Sequence, residues 1–252
     1  MLKTIFVDGD KGGVGKSLVA KAIADMYLHG SKEFRLPEAQ VVIVDADRAN
    51  PDLCGTGGFK MGGRLAETHY AALDTEEGWR EFGDKMEPYI DTEEEIRVIV
   101  SMPAQIGPRA FEGDIPLVNE VMRVVNAVPV WVLSRTRDSI DALDFRLRNM
   151  PARYTHGVVV KNLFFGASEK FGLWQESAAR LQTIVEGNWM EVELPEMNDI
   201  LLHMIGRAPF QTALEQGTAK GQLGLGSRLS LETWRRTAWG NLMAVELVGS
   251  NA

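Results

Sequence analysis

"DGDKGGVGKS", residues 8–17, decides how this chain is read. It follows a short apolar run closed by glycine, "KTIFVDG" (3–9), which reads as a buried strand. It runs into "KSLVAKAIADMYLHG" (16–30), where Leu18, Ile23, Met26 and Tyr27 fall along one helical side and Gly30 marks a stop. Strand, glycine turn and helix start form the context in which a loop cradles phosphates. Glycines remove the steric block to close approach, and backbone N–H groups turn inward on the anion. Such a loop ends in G-K-[ST], and Gly15, Lys16 and Ser17 supply that ending. The first glycine of the usual pattern is replaced by Asp10, and a second lysine, Lys11, follows it.

The candidate binding positions are therefore Gly12, Gly13, Val14, Gly15, Lys16, Ser17 and Leu18. Lys16 is the fixed positive charge of the loop, and the Ser17 hydroxyl is the expected ligand for Mg²⁺.

Outward from the loop the chain alternates. "AQVVIVDAD" (39–47) is a second strand, rich enough in β-branched residues to be buried on both faces. "EIRVIVSMP" (95–103), "VPVWVLS" (128–134) and "HGVVVKNLFF" (156–165) are the third to fifth strands, and "WMEVELPEM" (189–197) is a last, edge-like one. A helix is predicted over 74–90, opened by a capping box of Asp74 and Glu77, and further helices over 115–127, 138–149 and 173–186. The alternation predicts a single α/β domain over 1–252, a doubly wound, mostly parallel β-sheet with helices on both faces. The glycine-rich stretches 55–63 and 221–226 read as mobile loops.

Composition narrows the function classes. Of 252 residues, 45% are hydrophobic and 25% charged, values of an ordinary globular core. One cysteine, Cys54, excludes an internal disulfide and an internal CxxC site. The start of the chain reads as strand and loop rather than signal peptide, and no apolar run approaches the roughly 18 residues of a membrane helix. A soluble, cytoplasmic protein is expected. A formal charge of −8 disfavours wholesale coating of nucleic acid, which leaves DNA to a partner or a local basic patch.

"KGGVGKS" resembles the deviant phosphate loop of the ParA/MinD family of ATPases, in which the first lysine is a signature. The resemblance implies a P-loop NTPase of the SIMIBI type whose two subunits sandwich two ATP molecules. It makes Lys11 the lysine that reaches across the interface and Lys16 the one acting within the subunit. A cation arriving with the partner stabilises phosphoryl charge only in the dimer, much as an arginine finger does. "VVIVDADRANPDL" (41–53) is similar to the family's second-strand motif, placing Asp45 near Mg²⁺ and Ser17, and Asp47 on the attacking water. Where the ParA branch usually has proline, this chain has Arg48. "IRVIVSMPAQIG" (96–107) resembles the third-strand motif with Ser101 in place of its aspartate, a neutral residue where a carboxylate normally holds water on the metal. Asn162, at the end of "VVVKNLFFG" (158–166), stands where the family places an asparagine on the nucleotide base, and Glu196 in "ELPEMND" (193–199) is a second base-side candidate.

The resemblance covers about residues 1–215 and implies a homodimeric, Mg²⁺-dependent ATP switch with an unidentified protein partner or cargo, of the kind serving plasmid partition, stability or conjugative transfer. The alternatives are a dimerisation switch that hydrolyses almost nothing, because of Ser101, and a metabolic ligase of the dethiobiotin-synthetase type, against which Lys11 speaks. An iron–sulfur relative of the nitrogenase reductase type needs more cysteines than Cys54. In "RLSLETWRRTAWGNLMAVELVG" (228–249), Leu231, Trp234, Ala238, Leu242 and Val245 form one stripe, expected to pack on the sheet rather than on lipid. Stable membrane binding is not expected.

Overall fold

The computed structural model describes residues 1–9, 12–47, 51–103, 115–149 and 155–248. Seven strands form one sheet: β1 (Leu2–Asp8), β2 (Gln40–Asp45), β3 (Leu65–Tyr70), β4 (Ile96–Ser101), β5 (Ala127–Leu133), β6 (His156–Asn162) and β7 (Asn188–Leu194). Their order is β3-β2-β4-β1-β5-β6-β7, and every neighbouring pair is parallel. The central strands β1 and β4 are buried at every position, including the polar Lys3, Thr4, Asp8, Arg97 and Ser101 that interrupt their apolar runs.

The helical segments are α1 (Lys16–Asp25), a π-helical turn (Met26–Gly30), α2 (Ser31–Phe34), α3 (Glu76–Ile90), α4 (Ile115–Val124) and α5 (Arg137–Asn149). They continue with α6 (Gly172–Gln175), α7 (Ala178–Arg180), α8 (Asp199–Ile205), α9 (Phe210–Glu215), α10 (Leu225–Leu242) and α11 (Ala244–Leu247). Strand alternation sorts the core into layers. Ile5, Ile43 and Ile99 pack with α1, α8, α9 and α10 on one face of the sheet. Phe6, Val44 and Val100 pack with α3 and α4 on the other, where Phe6, Trp79 and Phe82 form an aromatic cluster. Trp131 and Val159 extend that second face under α5, α6 and α7. The predicted doubly wound, parallel sheet is what forms.

Four local readings change. β3 lies between the 55–63 loop and the predicted helix over 74–90, in a stretch assigned no element because "LAETHY" has no apolar run; it is an edge strand with partly exposed residues. The helix over 74–90 starts at Glu76, and its cap is Thr75, whose hydroxyl accepts from the Gly78 N–H at 3.0 Å, rather than the Asp74–Glu77 box. The region 173–186 is not one helix but α6, α7 and a π-helical turn (Leu181–Val185). Gly30 does not stop the first helix. The chain continues helically to Phe34 and turns at Arg35, φ 54°. Gly30 serves a close approach instead, since a Cβ there would lie 2.9 Å from the Trp239 ring.

The C-terminal stripe behaves as read: Leu231, Trp234, Ala238, Leu242 and Val245 are all buried in the α1-side core. Among the described residues no helix is long and apolar enough to cross a membrane. Beyond α10 the chain is tied to the base of the sheet by charge. Lys3 Nζ donates to the carbonyls of Glu246 (2.7 Å) and Val248 (3.2 Å). Arg97, buried in β4, donates two hydrogen bonds to the Glu246 carboxylate at 2.7 and 3.0 Å, and the Tyr27 hydroxyl donates a third at 2.7 Å.

Burial opposes the charge on Glu246, but hydrogen bonds from Arg97 and Tyr27 outweigh it and hold its carboxyl below the ordinary range. A carboxyl lowered on folding stabilises fully above its unfolded pKa, about 4.3, and loses that contribution as pH falls below it. Glu246→Ala is expected to cost about 3 kcal/mol near neutrality by stranding Arg97, less what Glu95 retains. In urea titrations the gap between parent and variant should shrink on acidification. A gap that stays constant down to about pH 3 would show that the carboxylate's charge is not what stabilises.

Candidate functional site

The loop after β1 is shaped by two glycines in the left-handed region, Gly13 (φ +83°) and Gly15 (φ +102°). Gly15 is the residue on which α1 begins, and no side chain caps that helix end. The positive end of α1 and its first-turn N–H groups adjoin the cleft. Gly15 is also sterically obligatory: a Cβ there would stand 2.5 Å from Asn162 Nδ2. Val14 turns its side chain down into the core, 1% exposed, and its carbonyl accepts a hydrogen bond from Asn162 Nδ2 at 2.9 Å. Asn162 Oδ1 in turn accepts from the Phe164 N–H at 3.1 Å. The end of β6 therefore clamps the loop through Asn162. The base contact expected of Asn162 is not where its amide is engaged.

The ends of β2 and β4 meet in register. Asp45 is paired with Ser101, and Ser101 with Val7 of β1. These three alternate with Ile43, Ile99 and Ile5, so they lie on the α1 face. Asp45 is buried, and its carboxylate is taken up by main chain. Oδ2 accepts from the N–H of Leu53 (2.8 Å) and of Cys54 (3.3 Å), and Oδ1 from that of Asp47 (3.3 Å). Burial pushes its carboxyl up, against the pull of these three donors. Asp45 thus hangs the segment following β2 on the sheet edge and does not line the cleft.

The cleft, about 560 Å³, lies over these strand ends. One wall is the loop and first turn of α1, with Gly12, Gly13, Gly15, Lys16, Ser17 and Leu18. A second carries Asp47, Asp52, Ser101 and Met102. A third is the α8 end, with Leu202, Gly206 and Arg207. Of the predicted positions, Val14 and Asp45 stand behind the wall rather than in it. Glu196 is exposed in the loop after β7 and does not line the cleft, whereas α8 and its turn do. Lys11, like Asp10 and Arg48, lies outside the described residues.

Lys21, Asp52 and Arg207 are charged cleft residues that were not read from sequence. Lys21 is buried, and its Nζ donates to the Gly206 carbonyl at 2.9 Å. Burial brings its pKa down to about 8, although Asp52 and Asp25 pull the other way. Its signal was available: Lys21 is one helical turn beyond Ser17 on the same face of α1. Arg207 meets Asp52 at 3.2 Å, a pair 155 positions apart that no local pattern announces. Among the described residues no group of three His, Cys, Asp or Glu side chains is arranged to hold a metal ion. Cys54 is no nucleophile, since burial first, and Asp45 next, push its thiol up to about 12.

No protein-family model matches the chain. It is 29% identical over 241 residues to protein MobD of Acidithiobacillus ferrooxidans, a likeness covering 94% of this chain and 96% of that protein. Among solved structures it is similar to a nucleotide-binding protein of Archaeoglobus fulgidus in complex with ADP. The two share 17% identity over 82% of this chain and 87% of the other, with a TM-score of 0.46.

The clamp has a measurable consequence. Asn162→Ala leaves the buried Val14 carbonyl without its donor, a loss of about 1–3 kcal/mol. Amide exchange at Gly13–Ser17 is expected to quicken at least about tenfold while the β4 amides stay protected. Unchanged exchange in the loop would mean that Asn162 does not hold it.

Proposed function

We propose that this chain is a Mg²⁺-dependent ATPase of ParA/MinD type that works as an ATP-controlled homodimeric switch. The observation that carries the reading is the cleft itself. A glycine-shaped loop, the N-terminal end of α1 and Lys16 face Asp47 and Ser101 across a space of nucleotide size. The donor set fits a triphosphate: main-chain N–H groups, an ammonium and a hydroxyl on one wall. It also fits a metal held mainly by phosphate oxygens and water, since Ser17 is the one first-turn hydroxyl in the cleft and no three-carboxylate cage is needed.

Bound ATP with Mg²⁺ supplies the phosphoryl bond to be broken and neutralises part of its charge. The chain's own residues do the rest. Lys16 and the loop N–H groups would orient the phosphates, and Ser17 would be the metal's protein ligand, with Asp45 behind it. Asp47 positions the attacking water. Lys11, supplied by the partner subunit, brings positive charge to the transferring group only once the dimer closes. Closure would create a surface for a protein partner or cargo. The near full-length likeness to protein MobD supports placing the switch among small plasmid-encoded members serving mobilisation.

A second reading rests on Ser101. A neutral hydroxyl occupies the strand-end position beside Asp45, where the family's carboxylate normally sits, and this favours a switch that binds and dimerises but turns over slowly. Turnover with and without candidate partners separates the two.

Lys16→Ala is expected to abolish ATP binding in calorimetry; an unchanged affinity would remove the reading. Lys11→Ala is expected to leave ATP binding by the monomer intact while weakening ATP-driven dimerisation, followed by light scattering, and turnover. A Lys11 variant that dimerises and hydrolyses like the parent would refute the inter-subunit role.

Asp47→Ala should lower hydrolysis by about 10²–10⁴ and trap the ATP dimer, as expected for loss of a positioned base. Ser101→Ala removes only a neutral hydrogen bond, about 0.5–1.5 kcal/mol, and should be mild. Ser101→Asp should lower the Mg²⁺ concentration needed. ATPase rates against Mg²⁺ test all three, and a Ser101→Ala variant as inactive as Asp47→Ala would reverse the assignment.

A further inference from the structure

Each wall of the cleft is anchored to rigid structure by a buried contact. The turn after α8 is held by Lys21, whose ammonium donates to the Gly206 carbonyl at 2.9 Å. Gly206 takes φ +57° with open space where a side chain would be, so its conformation serves the chain reversal and the direction of that carbonyl. The segment after β2 is held by Asp45, which fixes the N–H groups of Leu53 and Cys54. Each anchored residue has a neighbour in sequence that reaches for the other wall, Arg207 next to Gly206 and Asp52 next to Leu53. Their side chains meet at 3.2 Å, and both are largely exposed, 46% and 40%. The walls are thus fixed from below by buried contacts and joined above by a solvated ion pair. Such a pair contributes little to folding and opens readily.

We propose that Asp52 and Arg207 are positioning residues that latch the cleft, setting how fast a nucleotide enters and leaves, with Lys21 as the fixed hinge of the Arg207 arm. The inference rests on the reading that the cleft takes a nucleotide. It adds that the segment hung on Asp45, which also carries Asp47, is coupled to the α8 turn through this contact. Opening the latch frees the mouth without disturbing the phosphate loop. A nucleotide that pulls on Asp47 or on the α8 turn would do so against it.

The competing role for Arg207 is direct contact with the nucleotide's phosphates, and the two roles differ in sign at Asp52. If Arg207 binds the nucleotide, Asp52→Asn frees the guanidinium and slows release. If the pair is a latch, Asp52→Asn speeds both entry and release. The experiment is stopped-flow release and binding of a fluorescent ADP analogue by the full chain. The variants are Asp52→Asn, Arg207→Gln, the double variant and the charge exchange Asp52→Arg with Arg207→Asp, all at surface positions.

Expected are release rates raised about two- to fivefold in each single variant, no further rise in the double variant, and recovery in the exchanged pair. Raising salt should bring the parent toward the single variants. Slower release in Asp52→Asn, additive effects or a failure of the exchange to recover would overturn the latch. Absence of binding by the parent would instead overturn the nucleotide reading on which it stands, so the two failures are distinct.

Discussion

Everything at the cleft depends on the parallel pairing of β1 with β4 and of β4 with β2. Parallel ladders set all strands running the same way, so their carboxyl ends share one edge, where ligands of open α/β sheets bind. The register then decides which residues stand together there. Val7, Ser101 and Asp45 are paired across three strands, and all three face α1 because they continue the alternation of Ile5, Ile99 and Ile43. A slip of one residue in β2 would carry Asp45 to the α3 face, among Val44, Val100 and Trp79. The site is thus specified by the hydrophobic pattern of the strands at least as much as by its own polar residues.

The polar residues near the cleft divide by what they bond. Asn162, Asp45 and Lys21 are buried, and each directs its hydrogen bonds at main chain: the Val14 carbonyl, the Leu53, Cys54 and Asp47 N–H groups, and the Gly206 carbonyl. Lys16, Ser17, Asp47 and Ser101 line the open space. The first set fixes three loops that have no regular structure of their own; of the second, Asp47 stands on one of those loops, Lys16 and Ser17 on the first turn of α1, and Ser101 at the end of β4. Such an arrangement holds reactive groups in place before a ligand arrives, which is what electrostatic preorganisation requires.

This division also explains what the sequence disclosed. The loop, the strand ends and the C-terminal stripe were legible because each is a local pattern: glycine spacing, β-branched runs, a period of 3.6. β3 was not, since an edge strand with Glu67 and His69 needs no apolar run. Gly30 was read as a stop because its real partner, Trp239, is some two hundred residues away. Asn162 was placed correctly as a strand-end residue near the loop, but a single asparagine cannot declare whether its amide meets a base or a carbonyl. Arg207 and Asp52 carry no signal until the fold brings α8 beside the segment after β2.

Ser101 is where register and electrostatics meet. Asp45 and Ser101 are register partners on adjacent strands, so their Cα atoms are about 4.8 Å apart and their side chains share a face. Asp45 is buried, and burial already raises its pKa while three N–H groups work to keep it ionised. A second carboxylate at position 101 would add like charge at close range, raising one of the two further unless a cation stood between them. With serine there, no second charge is added beside Asp45, and the N–H groups of Asp47, Leu53 and Cys54 are what favour its carboxylate against burial. With aspartate, like-charge repulsion would work against the same three hydrogen bonds. The neutral residue therefore spares those hydrogen bonds a competing charge, and the cleft wall that carries Asp47 and Asp52 is held through main-chain contacts to Asp45.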